Sequence, residues 1–216
     1  AECIFVNGPS KTVIGGIVAD IRRRAAASGR DPADLVIYAM MTVITDTTPE
    51  AAQAKYRDLL RHVSEEGALA LMSGWTGLDF GSLPRDEPVR FTTRNAMTSA
   101  LEAFTTADPD RVWTVREIAR HAAIGGRGPV VVGSYTEVAD AFEDWVADTG
   151  VDGFNLAYAL TPETFTDIVD LVVPELQRRG VYKHDYAPGT LREKLYGPGR
   201  ARLPESHPAA RVRRPR

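Results

Sequence analysis

Short apolar runs alternate with helical patterns in the first part of the chain. Residues 3–6 form an apolar run that ends at the turn-forming residues 7–9, and apolar side chains then recur at helical spacing over residues 13–21. Residues 35–44 are almost continuously apolar, which is typical of a strand buried on both faces of a parallel sheet. This order predicts a strand, a helix and a second strand.

A second helix is predicted to follow residues 35–44. Thr48 has the residue type of an N-cap, and Pro49 is suited to the first helical position. The helical spacing predicts an inward face made of Ala52, Tyr56, Leu59, Leu60 and Val63. The chain to this point therefore reads as two β/α units.

From residue 67 to about residue 120 the helical rhythm is lost, and glycine and proline interrupt short helical stretches. A connection of this length is usually a lid or binding loop with some structure of its own. Thr114 and Glu117 have the spacing of a capping box and predict a short helix within it. We therefore interpret this region as an insertion.

The regular pattern returns after the insertion. Residues 129–132 form a short extended run, and Ser134 with Glu137 predicts a capped helix. Residues 151–158 predict a further strand, and Thr161-Pro162 predicts the start of the next helix. The inward face of that helix is predicted as Phe165, Ile168, Val169, Val172 and Leu176, with a kink at Pro174 and an end at Gly180.

Strands that are each followed by a helix predict an α/β layer with parallel strands. A parallel barrel needs eight such units and about 250 residues, so this chain holds under half of one. The exposed sheet edge predicts a homo-oligomer or a missing N-terminal half before Ala1. The pattern divides the chain into barrel units at 1–66, an insertion at 67–128, a last strand with helices and a C-terminal wrap at 129–197, and a disordered tail at 198–216.

Composition narrows the functional classes. The net charge of -3 and a charged fraction of 25% give no electrostatic reason to expect nucleic acid or a membrane surface as partner. The single cysteine suits a reducing compartment, and scattered histidines show no metal-ligand spacing. We therefore expect a soluble cytoplasmic protein without a metal site.

Several sequence blocks in a fixed order resemble one enzyme family. They are 125–133 (GGRGPVVVG), 138–140 (VAD), Trp145, 151–158 (VDGFNLAY), 174–180 (PELQRRG) and 189–195 (GTLREKL). The chain resembles, over residues 1–197, the flavin monooxygenases that include the nitrilotriacetate and dibenzothiophene-sulfone monooxygenases and a pristinamycin synthase. This family lies within the bacterial-luciferase-like superfamily.

The resemblance implies a fold and an activity. The fold is the C-terminal part of a luciferase-like (β/α)8 TIM barrel, with an insertion between its last two strands. The implied enzyme is an FMN-dependent two-component monooxygenase that receives reduced FMN from a separate flavin reductase and oxygenates a small organic substrate. Most flavin contacts of the family lie before the position of Ala1. The alternatives are a noncatalytic remnant or assembly module, and a deazaflavin-dependent oxidoreductase.

Arg127 is the first candidate for ligand binding. It lies between Gly126 and Gly128, where the backbone can approach a ligand closely and a guanidinium can bind an anionic group with two hydrogen bonds. The alternative is that the glycines only shape a turn and that Arg127 forms a surface ion pair.

Three further residues are candidates for the same site. His121 precedes Arg127 closely enough to act as a proton donor, although it can equally be a solvated helix-end residue. Asn155 and Tyr158 are polar residues near the C-terminal end of a strand, where barrel active sites lie. The alternatives are that Asn155 binds neighbouring backbone and that Tyr158 belongs to the core. The catalytic residues stay unknown, and Trp75 and Trp113 are candidates to line a substrate pocket.

Overall fold

A computed structural model of the chain describes residues 1–92, 97–205 and 207–212. Its parallel sheet consists of β1 (Cys3–Val6), β2 (Val36–Asp46), β3 (Val130–Ser134) and β4 (Gly153–Ala157). The long strand β2 pairs with all the others: its first part with β1, its middle with β4 and its last part with β3. Each pairing is parallel, which confirms the predicted α/β class with a parallel sheet.

Helices connect and cover these strands. They are α1 (Lys11–Ala27), α2 (Pro49–Leu60), α3 (Glu65–Thr76), α4 (Thr98–Glu102), α5 (Val115–Gly125), α6 (Tyr135–Thr149), α7 (Glu163–Asp167), α8 (Val173–Arg178) and α9 (Leu191–Tyr196). The predicted caps are confirmed: the Thr48 side chain accepts from Ala51 N, and capping boxes begin at Thr114 and Ser134. Each cap satisfies backbone N–H groups that have no partner within the helix.

One hydrophobic cluster joins the sheet to the helices on one of its faces. Ile37, Ala39 and Met41 alternate along β2 and are fully buried, because α1, α6 and α8 cover that face. We call β1, β2 and β4, together with α1, α6 and residues 168–178, the barrel layer. On the opposite face Phe5 is 65% exposed and stacks on Tyr38, with 5.7 Å between ring centres.

A second hydrophobic cluster holds α3, α4 and α5 together. We call residues 65–128, as far as the structure describes them, the lid. Its core includes the fully buried side chains of Met72, Phe80, Leu101, Phe104 and Ile118. Val13 of α1 belongs to this cluster, while Ile14 one residue later belongs to the barrel layer. Helix α1 therefore packs against both regions.

The expectation that helical order is lost from residue 67 onward was wrong for residues 67–76. Helix α3 runs without a break from Glu65 to Thr76. Ser64 caps its N-terminus by accepting from Gly67 N, and Gly77 ends it with a φ of +68°. Packing of Leu69 and Met72 in the lid core outweighs the weak helix propensity of the glycines.

Two predicted inward faces need correction. Phe165 is 41% exposed and Val169 is 60% exposed, whereas Ile168, Val172 and Leu176 are buried as predicted. The cause is that only residues at intervals of four face the core here, and the chain adopts a wider π-helical turn over Ile168–Val172. This turn lies just before Pro174, which lacks an N–H group and disturbs the helix at that point.

In α2 only Ala52 is buried, and the other residues of its predicted inward face are partly exposed: Tyr56, Leu59, Leu60 and Val63. The reason is that α2 covers the end of β2 incompletely and leaves space beside Leu59. Part of the predicted core face is therefore the side of a groove.

The C-terminal residues return to the start of the chain. Arg192 of α9 pairs with Glu2 at 2.7 Å, and the Tyr196 hydroxyl donates to the Glu2 carbonyl at 3.0 Å. Within the tail that we expect to be disordered, Arg200 pairs with Asp34 at 2.7 Å and residues 208–212 form a 3-10 turn. Residues 206 and 213–216 lie outside the described residues, so the disordered tail stays a prediction.

Candidate functional site

A groove of about 300 Å³ lies where the ends of the strands meet the lid. The barrel layer contributes Asn7, which follows β1, and the inner-face residues Met40 and Thr42 of β2. The lid contributes Trp75 of α3 and the turn after α5 that carries Arg127. We call this space the first groove. It occupies the C-terminal side of the sheet, where barrel enzymes hold their active sites.

The turn after α5 requires glycine for two different reasons. Gly126 has a φ of +59°, a conformation that side chains other than glycine rarely adopt. A Cβ atom on Gly128 would lie 3.0 Å from the Met40 carbonyl oxygen, so the turn touches β2 directly. Gly128 N donates to Gly125 O at 3.0 Å and closes the turn. The glycines therefore fix Arg127 close to the strand.

The Arg127 guanidinium has several neighbours, but none of the described residues acts as its counter-ion. Nη1 donates to the Met97 sulfur at 3.0 Å, and the guanidinium carbon lies 5.4 Å from the Trp75 ring centre. With the Asn7 amide oriented to satisfy both of its groups, its oxygen accepts from Arg127 Nη2 at 3.3 Å. No carboxylate in the described part of the chain forms an ion pair with Arg127. Its positive charge is therefore available to an anionic group in the first groove.

Thr42 adds an unused polar atom to this groove. Thr42 is fully buried, and its Oγ1 atom has no hydrogen-bond partner among the residues that the structure describes. Buried hydroxyl groups are nearly always hydrogen-bonded, because an unmade bond costs free energy. The Thr42 hydroxyl is therefore suited to a ligand or water beside Met40 and Arg127.

His121 lies behind the turn and does not line the first groove. Its ring packs edge-on against Trp113 and Phe104, with ring centres 5.1 and 5.8 Å away. Burial lowers the pKa of His121 below its ordinary value, although a hydrogen bond to the Gly128 backbone opposes this shift and Arg111 adds to it. Trp113 is also buried in the lid core. His121 is thus placed to support the turn that carries Arg127.

Asn155 and Tyr158 lie apart from Arg127. Asn155 is exposed in the middle of β4 opposite Met40, and it does not line the first groove. Tyr158 is 61% exposed and lines a second, larger groove of about 730 Å³ beside the first. Its ring centre lies 5.9 Å from that of Phe165. Of the predicted candidates, the structure brings Gly126, Gly128 and Arg127 together at one turn.

Met40 and Thr42 were not among the sequence candidates. They alternate with the buried core residues Ala39 and Met41 of β2, so they face the side of the sheet that α1 and α6 leave open. The only signal in the sequence is the threonine within an apolar strand. It becomes informative once the register with Ala157 is known.

Charged residues near the second groove are already paired. Lys55 of α2 contacts Asp167 at 2.8 Å and Asp46 at 3.1 Å, and thereby joins the end of β2 to α7. Among the described residues no cluster of His, Cys, Asp and Glu has the arrangement of a metal site. No helix in the described ranges is long and apolar enough to span a membrane.

Comparisons with known proteins give consistent matches. The sequence matches the protein-family model described as Luciferase-like monooxygenase over residues 1–153. It is 45% identical to a dimethyl-sulfide monooxygenase of Hyphomicrobium sulfonivorans, a match that covers 99% of this chain and 44% of the relative. It is 35% identical to a long-chain alkane monooxygenase of Geobacillus thermodenitrificans, again over 99% of this chain and 44% of the relative.

Among solved structures, a riboflavin lyase crystallised with modified FMN and riboflavin matches with a TM-score of 0.82 at 32% identity. The match covers 100% of this chain and 47% of that one. The chain therefore spans less than half the length of the curated relatives and of this solved structure.

Proposed function

Because this chain belongs to the luciferase-like monooxygenase family, as its sequence blocks predicted, we propose that it forms part of an FMN-dependent two-component monooxygenase. The chain supplies part of the TIM barrel typical of this family. In the complete enzyme a separate reductase provides reduced FMN, and the oxygenated substrate is a small organic molecule. The observation that carries the proposal is the first groove, in which the Arg127 guanidinium has no counter-ion among the residues that the structure describes.

The residues of the first groove fit a flavin. Met40 and the Trp75 indole would line the site beside its ring system, and the guanidinium of Arg127 would bind its phosphate or carbonyl oxygens. The Thr42 hydroxyl, which has no partner among the described residues, would be a further hydrogen-bonding group for the polar edge of the ring. This assignment is supported by the crystal structure of a similar protein, a riboflavin lyase, which contains modified FMN.

The residues of this chain bind and shield the cofactor. Arg127 and Asn7 would hold its polar groups, and Trp75 would pack against it. When bound, reduced FMN supplies electrons to molecular oxygen, so that one oxygen atom enters the substrate and the other leaves as water. The lid borders the first groove and, together with the rest of the barrel, would limit the access of bulk water to it. Further cofactor contacts come from the rest of a barrel longer than this chain.

The test uses the full-length protein, FMN and a flavin reductase. FMN is titrated while its fluorescence is followed, and saturable binding in the micromolar range is expected. Dimethyl sulfide serves as the first test substrate, because one relative is named a dimethyl-sulfide monooxygenase. Consumption of dimethyl sulfide should require FMN, the reductase and oxygen together. A reduced deazaflavin in place of FMN should give no consumption.

Two results would overturn this proposal. Absence of FMN binding would favour a noncatalytic remnant or assembly module. Turnover supported by the deazaflavin, with no turnover supported by FMN, would favour the deazaflavin-dependent reaction. If FMN binds but dimethyl sulfide is not consumed, only the choice of substrate is wrong. Other thioethers and alkanes are then tested under the same conditions.

A further inference from the structure

The second groove lies along the same face of the lid as the first. Helix α3 lines both, with Trp75 in the first groove and Leu71 in the second. These residues are four apart and therefore lie on one face of the helix. Ile124 of α5 lines both grooves and marks the place where they meet. A molecule in the second groove thus lies directly beside the space that we assign to FMN.

The surface of the second groove is more apolar than polar, and most of its lining residues are apolar. Its volume of about 730 Å³ falls within the range of small-molecule sites. The residues that form its inner surface include Leu59, Val63, Ala68, Leu71, Ala123 and Ile124. They come from α2, the connection that follows it, α3 and α5. The segment after β4 closes the other side through Tyr158 and Leu160.

The charged residues of this groove lie at its rim. Asp58 is paired with Arg61 at 3.0 Å and lies 3.9 Å from His62, and all three side chains are mostly exposed to solvent. A charged ligand would therefore lose its hydration in the groove without gaining a partner. An uncharged apolar ligand would instead cover the exposed surface of Leu71, which is 45% exposed, and of Tyr158.

We propose that the second groove binds the apolar part of an uncharged organic substrate next to the first groove, and that Leu71 and Tyr158 select against charged molecules. This proposal rests on the proposed function only for the statement that the ligand is a substrate. Binding of an apolar molecule to the groove is a property of this chain's own residues.

The test compares two probes of equal length, 1-octanol and octanoate, by titration calorimetry of the full-length protein. We expect octanol to bind saturably and octanoate to bind at least about tenfold more weakly. Leu71→Lys should reverse this preference, because it places a positive charge inside the groove. Leu191→Lys is the matched control, since Leu191 is 74% exposed on α9, which packs at the opposite end of the sheet. It should change neither affinity.

FMN is titrated separately with each variant, and its affinity should not change. Equal binding of octanol and octanoate to the unmodified protein would overturn the proposal. The proposal would also be overturned if Leu71→Lys kept the parent's melting temperature and bound both octanol and octanoate with the parent's affinities. If octanol binding depends on Leu71 while FMN fails to bind, the groove assignment holds and the proposed monooxygenase function fails.

Discussion

The barrel layer and the lid bury similar kinds of side chains by different rules. In the barrel layer the buried residues recur at the period of their element, as do Ile37, Ala39 and Met41 along β2. In the lid, Met72, Phe80 and Phe104 come from separate short segments joined by loops. The first kind of core can be read from sequence spacing, whereas the second depends on how the segments meet.

The first groove lies where these two regions meet. The barrel layer contributes Met40 and Thr42 to the first groove, and the lid contributes Trp75 and Arg127. Within the described part of the chain, only α1 places neighbouring residues, Val13 and Ile14, in the two different clusters. We therefore expect the barrel layer to set global stability and the lid to open more easily, as binding regions generally do.

The largest effect is expected from Trp145→Ala in the barrel layer. Trp145 is 7% exposed on α6 and packs in the core under the sheet. Its truncation should lower the free energy of unfolding by about 3 to 5 kcal/mol, as large-to-small changes in cores do. Urea unfolding measures this loss. Val146→Ala, one residue later and 42% exposed, should stay within about 0.5 kcal/mol of the parent.

Ile118→Ala removes a fully buried side chain from the lid core. It should destabilise the lid by about 2 to 5 kcal/mol. Hydrogen exchange should show faster exchange in α3 and α5, with little change in β2. The control is Val112→Ala, because Val112 is 67% exposed. Equal acceleration in α5 and β2 would mean that the two regions unfold as one unit.

Glu175 is expected to make the barrel layer sensitive to strong acid. Hydrogen bonds from Arg178 and Arg179 lower the pKa of Glu175 from 4.5 to about 2. Because the folded-state pKa is depressed, the stabilisation is complete above pH 4.5 and is lost as the pH falls toward 2. Glu175→Gln should flatten the stability curve in this range. The control Glu66→Gln, at an exposed position, should leave the stability curve unchanged. Equal slopes of stability against pH for the parent and Glu175→Gln would contradict the account.

His121 is expected to make the lid sensitive to milder acid. Burial lowers its pKa below the ordinary value of 6.5, so the lid loses stability as the pH falls below that value and the open state takes up a proton. Arg111 is the charged neighbour that adds to this shift. His121→Phe should remove the pH dependence of hydrogen exchange in α5. An unchanged pH dependence would show that another group controls opening.

The sequence predicted the barrel layer better than the lid because local signals decide its elements. Ser134 and Thr114 begin capped helices as expected, since a cap involves only residues three positions apart. Exposure of Phe165 and Val169 was not predicted, because it depends on which face of residues 163–172 packs against β2 and α6. The continuous helix at residues 65–76 was missed for a similar reason, since packing within the lid stabilises it.

The candidate site was predictable at one point only. Glycines on both sides of Arg127 indicated a close approach of backbone to a ligand, and the structure places this turn against β2. His121 lies behind the turn, and Asn155 lies outside both grooves. The contribution of Thr42 depends on the pairing of β2 with β4, which no local pattern encodes.

The most direct test of the central claim is an FMN titration of the full-length protein and its Arg127→Ala variant. Arg127 forms no ion pair within the described ranges, so its removal should leave the melting temperature almost unchanged. FMN binding should weaken by about 1 to 3 kcal/mol, the scale of a charge-assisted hydrogen bond, or roughly 5- to 150-fold in Kd. Arg120→Ala, which removes an exposed charge paired with Glu65, should bind FMN as the parent does. Equal FMN affinities for the parent and Arg127→Ala would contradict the assignment of the first groove.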